Sequence, residues 1–89
     1  MKLESILASS CRRRILRILS KHGRVNIMDL IRKVNSNYNQ VNSNLLLLHN
    51  EGIIIDKSFT RRREIRLNNE SLKTKRLLQV LKILDSAYS

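Results

Sequence analysis

The chain has 89 residues, with 18 Lys+Arg against 7 Asp+Glu, a formal net charge of +11 and a pI near 11.0. One domain of this size has a small core and gains stability from a shared interface, and its charge field gathers phosphate backbones, so a nucleic acid is expected before a membrane or an acidic protein surface. An aromatic content of 3% leaves few stacking partners for unpaired RNA bases, and the lone Cys11 excludes an internal disulfide.

Leu3, Ile6 and Leu7 fall at helical spacing, and Ser9-Ser10 interrupts that run. Either serine can accept from the free N–H groups of a new turn, so the pattern predicts a helix from about Cys11 to Lys21. Ile15, Ile18 and Leu19 share one face of it with Leu16 beside them, Arg12, Arg13, Arg14 and Arg17 are left mostly outward, and Gly23 closes it. Asn26 and Asp29 then form a capping-box-like pair, and Ile27, Leu30, Ile31 and Val34 predict a short helix of about two turns. Asn35-Ser36-Asn37 is a turn, with Asn37 placed to cap the next helix and Gln40 at its third position.

From Val34 to Asn50 there is no Lys, Arg, Asp or Glu. The spacing from Leu30 to Val41 and Leu45 fits two helices crossing over a shared core, with Gly52 closing the second. Beyond it, Ile53 and Ile55 alternate with Ile54 and Asp56, and Ile65 and Leu67 alternate with Glu64, Arg66 and Asn68, which predicts two strands. Neither Gly nor Pro lies between Ser58 and Arg63, so a loose, longer connection is expected, with Arg61, Arg62 and Arg63 at its tip. The last segment has Ser71 as a cap and helical periodicity through Leu77, Val80, Leu81, Ile83, Leu84 and Tyr88. Its apolar surface is too broad for a solvated tail, so Leu77, Leu81, Leu84 and Tyr88 are expected to meet another subunit.

Two stretches carry a resemblance. LASSCRRRILRIL, Leu7 to Leu19, resembles the first-helix signature of ArsR-type and related winged-helix repressors, and VNSNLLLLHNEGII, Val41 to Ile54, is similar to their recognition-helix signature. PadR-like, MarR-like and small archaeal or plasmid-borne DNA-binding proteins share much of this pattern. The resemblance covers nearly the whole chain and implies a mainly α, α+β fold in a single domain over 1–89. That fold is a winged helix-turn-helix with a recognition helix at about 37–51, a two-stranded wing at about 53–68 and a C-terminal dimerisation helix at about 71–87. The thiolate motif of ArsR-type metal sensors is absent, because Cys11 stands alone and His22 and His49 lack ligand neighbours; no metal or cofactor is expected.

In that resemblance the exposed early positions of the recognition helix enter the major groove: Tyr38, Asn39, Gln40, Asn42 and Ser43. Asn and Gln can pair with the N6 and N7 edge of adenine, and hydroxyls can contact bases or phosphates. Lys57, Arg61, Arg62 and Arg63 of the wing, with Arg12, Arg13 and Arg14 of the first long helix, are the candidates for the DNA backbone. The helix arginines have the alternative of pairing with Glu4, Asp29 or Glu51. Leu46 and Leu47 are read as core packing, with a subunit contact as the alternative. These features predict a homodimeric, sequence-specific DNA-binding protein of the transcriptional repressor type, cytoplasmic and nucleoid-associated, without a membrane segment and without catalysis. The alternative is an architectural or plasmid-partition adaptor that coats DNA in a higher-order assembly.

Overall fold

The computed structural model describes residues 1–59 and 61–88, the side chain of Tyr88 excepted. The order is α1 (Leu3–Leu7), α2 (Ser10–His22), β1 (Arg24–Asn26), α3 (Ile27–Val34), α4 (Tyr38–Asn50), β2 (Ile54–Phe59), β3 (Arg62–Leu67) and α5 (Leu72–Tyr88). Side chains punctuate the helices. Ser9 accepts from the Arg12 N–H at 3.3 Å, Asn26 from Asp29 at 2.9 Å, Asn37 from Gln40 at 2.8 Å and Ser71 from Thr74 at 3.3 Å. Gly23, at φ 76°, ends α2 and donates its N–H to the Leu19 carbonyl. Asn35 ends α3 in the left-handed region at φ 59°, which an Asn tolerates better than most residues.

The sheet is antiparallel with order β1-β3-β2. Its third strand, β1, is only three residues long with a single apolar residue, Val25, too short for an alternating pattern to be read in sequence. Pairing of Val25 with Ile65, both buried, draws it onto the free edge of β3. The wing is also tighter than expected, since its ladder runs from Ile54 opposite Leu67 out to Phe59 opposite Arg62. The diagonal ion pair between Asp56 of β2 and Arg63 of β3 favours that continuation. Arg62 and Arg63 therefore belong to β3, and of the three arginines only Arg61 lies beyond the ladder.

One core joins all layers: Ile15, Leu16 and Leu19 of α2, Leu30 and Val34 of α3, Val41, Leu45 and Leu48 of α4, Ile54, Ile65 and Leu67 of the wing, and Leu77 and Leu81 of α5. Leu77 and Leu81 thus fill this chain's own interior and are closed to a second subunit, a correction to the expected interface. A small domain lacks enough other apolar surface to leave them outside. Leu84 is half-buried against the same core, and Tyr88 falls outside the described side chains. Thr74 is buried and donates from Oγ1 to the Ile53 carbonyl at 3.2 Å, fastening α5 to the start of the wing. Among the described residues no helix is long and apolar enough to cross a membrane.

Candidate nucleic-acid interface

The helix-turn-helix is α3 and α4, held apart by the left-handed Asn35 and the Asn37 cap. With Val41, Leu45 and Leu48 inward, and about 100° of rotation per residue, the outward stripe of α4 contains Asn39, Ser43, Leu46 and Asn50, with Asn42 at its flank. Asn39, Gln40, Ser43 and Tyr38 are exposed and Asn42 is half-buried. Ser43 Oγ donates back to the Asn39 carbonyl at 2.9 Å, and Gln40 Oε1 accepts from Ser36 Oγ at 2.6 Å. Among the described residues the Asn39 and Asn42 side-chain amides have no hydrogen-bond partner within the chain, Asn39 lying exposed and Asn42 half-buried beside it.

The wing arginines divide by face. Consecutive strand residues point to opposite sides of the sheet, so Arg62 shares the outer side with Phe59, Lys57, Glu64 and Arg66, while Arg63 shares the inner side with Asp56 and Ile65. Arg63 grips the Asp56 carboxylate through Nε at 3.0 Å and Nη2 at 2.7 Å, and its Nη1 donates to the Tyr38 hydroxyl at 3.4 Å. The hydrogen bond to Asp56 raises the guanidinium pKa further above its ordinary value. Arg63 is therefore a strut between the wing and the first turn of α4, and its charge is already answered. Arg61, Arg62 and Lys57 are exposed and have no ion-pair partner among the described residues. Between the wing and the start of α3 runs a groove of about 630 Å³ lined by Arg24, Asn26, Lys33, Arg61, Arg62 and Glu64, among others.

Of the three helix arginines, the structure brings only Arg14 to the surface without an internal partner among the described residues. Arg12 donates from Nε to the Ile6 carbonyl, from Nη2 to the Ser5 carbonyl and from Nη1 to Asn44 Oδ1, each at 2.9 Å. Arg13 Nη1 donates to the Leu7 carbonyl at 2.5 Å. Both cap C-terminal carbonyls of α1, a use that backbone acceptors do not announce in sequence. Of the expected acidic partners, Asp29 pairs with Arg32 and Glu51 with Lys73, Glu4 forms no ion pair among the described residues, and Arg17 pairs with Asp85. Asn44 Nδ2 donates to the Gln40 carbonyl at 2.8 Å, so Arg12 reaches the first turn of α4 through one intervening side chain.

No group of three or more His, Cys, Asp or Glu that could hold a metal occurs among the described residues. No family model and no curated protein matches the chain. Solved structures do match. The transcriptional repressor BigR from Xylella fastidiosa superimposes with a TM-score of 0.84 at 16% identity, covering 98% of this chain and 83% of that one. The antimony-specific transcriptional repressor AntR gives 0.78 at 22%, covering 96% and 76%. The homodimeric winged helix-turn-helix DNA-binding domain of Mb0332 from Mycobacterium bovis gives 0.76 at 20%, covering 97% and 77%. At such identities the likeness is one of fold, and the fold is the winged helix-turn-helix.

Proposed function

We propose that this winged-helix chain is a sequence-specific double-stranded DNA-binding protein that acts as a homodimer in the manner of a transcriptional repressor. One observation carries the reading: a charge-free helical turn carries the amides of Asn39 and Asn42, while Arg14, Lys57, Arg61 and Arg62 are exposed, and none of these side chains has a hydrogen-bond or ion-pair partner among the described residues. Amides of that kind discriminate base edges, and guanidinium and ammonium groups hold phosphates without regard to sequence. The named fold neighbours include transcriptional repressors and a homodimeric DNA-binding domain, which supports the same assignment.

The dimer rests on α5. With Leu77 and Leu81 turned inward, its outer side still exposes Leu72, Val80 and Ile83 to 61%, 38% and 67% of their surface. Val80, Ile83 and Ala87 recur at helical spacing and form an apolar strip that a second copy would cover. A two-fold axis there would set two α4 helices in successive major grooves, about 34 Å apart. Such a role belongs in the cytoplasm, on the nucleoid.

Selection of genomic fragments followed by footprinting and titration at two ionic strengths tests the function. A bounded, palindromic footprint with salt-dependent affinity is expected. A footprint that lengthens with protein concentration would favour a DNA-coating role, and no salt-dependent duplex affinity would remove the DNA reading. Ile83→Glu should shift the free protein to monomer in sedimentation without unfolding it, whereas an unchanged oligomer would remove α5 as the interface.

A further inference from the structure

Leu46 departs from the rule that governs its neighbours. In the run Leu45 to Leu48, Leu45 and Leu48 are fully buried and Leu47 packs against the core, but Leu46 is 58% exposed. It follows Asn39 by seven residues, Asn42 by four and Ser43 by three, so it stands on the same outward stripe. Seven residues of helix place it about 10 Å further along the axis than Asn39, the span of about three base pairs. The hydrogen-bonding side chains of the proposed reading face thus continue into one large apolar group.

We propose that Leu46 is a specificity-determining residue whose side chain meets the 5-methyl group of a thymine in the major groove. The inference rests on α4 being the helix that reads duplex DNA. Among the base edges in that groove, the thymine methyl is the one apolar group, and all other features are donors or acceptors. Leucine can make neither hydrogen bond nor phosphate contact, so on this stripe it can favour a base only by covering apolar surface. It also disfavours cytosine, whose exocyclic amine it would strip of water without replacement. A Lys or Arg in its place would instead hold phosphate or the O6 and N7 edge of guanine, and would gain nothing from a thymine methyl. Together with adenine edges read by Asn39 and Asn42, this predicts A·T-rich half-sites with a fixed thymine about three base pairs from the adenine read by Asn39.

Uracil tests the contact cleanly, because it keeps every hydrogen-bonding group of thymine and lacks only the methyl. On a duplex obtained by fragment selection, each thymine is replaced singly by uracil and the Kd measured for the natural protein and for Leu46→Ala, with circular dichroism to establish folding. The natural protein should weaken about fourfold at one thymine per half-site, the loss of one buried methyl. Leu46→Ala should bind the thymine duplex about fourfold or more weakly and be indifferent to uracil at that position, and Leu46→Met should retain the preference. Equal responses of the natural protein and Leu46→Ala at every thymine would overturn the proposal while leaving specific binding intact. A change in the oligomeric state of free Leu46→Ala would overturn it in favour of a protein contact. If no duplex is selected and Asn39→Ala alters nothing, the reading of α4 itself falls, and the inference with it.

Discussion

Arg63 and Tyr38 meet across the gap between the wing and α4, with guanidinium Nη1 3.4 Å from the phenolic oxygen while the rest of the fork holds Asp56. Asp56 has only 15% of its side chain exposed, so losing its partner leaves a poorly solvated carboxylate. Arg63→Ala should lower the unfolding free energy by ~1–3 kcal/mol in urea titration. Arg63→Lys should recover little, because an ammonium cannot reproduce a two-pronged contact. Tyr38→Phe should cost under ~1 kcal/mol, as befits a long bond at an exposed hydroxyl. A stability of Arg63→Ala equal to that of the natural protein would refute the strut.

Arg12 and Arg14 lie two positions apart in the chain and are expected to behave oppositely. Arg12→Ala removes the donors to two α1 carbonyls and to Asn44, and should cost ~1–2 kcal/mol of stability while leaving the salt dependence of duplex binding unchanged. Arg14→Ala should alter stability by no more than ~0.5 kcal/mol and flatten the salt slope by about one unit. Parallel urea and salt titrations of the two variants decide it; a flattened slope for Arg12→Ala would contradict its internal role.

Reading and anchoring should separate in the same way on DNA. Asn39→Ala and Asn42→Ala are each expected to cost ~1–3 kcal/mol on the selected site and little on random duplex. Arg62→Ala should weaken both duplexes alike and reduce the salt slope by about one unit. Asparagine variants that weaken specific and random DNA equally would show these amides to be mere surface.

Glu51 supplies a pH handle. The Lys73 ammonium, 2.5 Å away, holds its carboxyl below the ordinary 4.5, with the N-terminal amine assisting. A folded pKa below the unfolded one means that the pair stabilises the fold above the unfolded pKa and loses that contribution as pH falls through the folded value. Thermal melts should therefore show the natural protein more stable than Glu51→Gln at neutral pH, with the gap closing on acidification. A gap that is constant with pH would exclude the ion pair as its cause.

Much of the architecture was readable because the helix starts are written in side chains. Ser9, Asn26, Asn37 and Ser71 each accept from the N–H three residues on, and the spacing of Leu30, Val41 and Leu45 foretold a shared core. What escaped depended on partners distant in sequence. The strand β1 exists because Ile65 is available to Val25, and the tight wing arises from pairing between two strands that need no glycine to stay in register. Arg12 and Arg13 looked outward only because their acceptors are carbonyls, which every residue possesses. On α4 and α5, runs of apolar residues wider than one stripe misdirected the reading: Leu46, read as core, is exposed, and Leu77 and Leu81, read as an outward interface, are buried.

The placing of Arg62 and Arg63 on opposite sides of β3 makes the wing sensitive to parity. Moving β3 along its ladder by one residue would leave charge, length and composition of the hairpin untouched, yet every side chain would change sides. The guanidinium that now braces α4 would swing into solvent, and the one proposed for phosphate would be pulled inward against Asp56. Insertions confined to the connection would leave this arrangement intact, because buried Ile65 and Leu67 hold the facing of β3, whereas one residue added between Arg63 and Ile65 would reverse it.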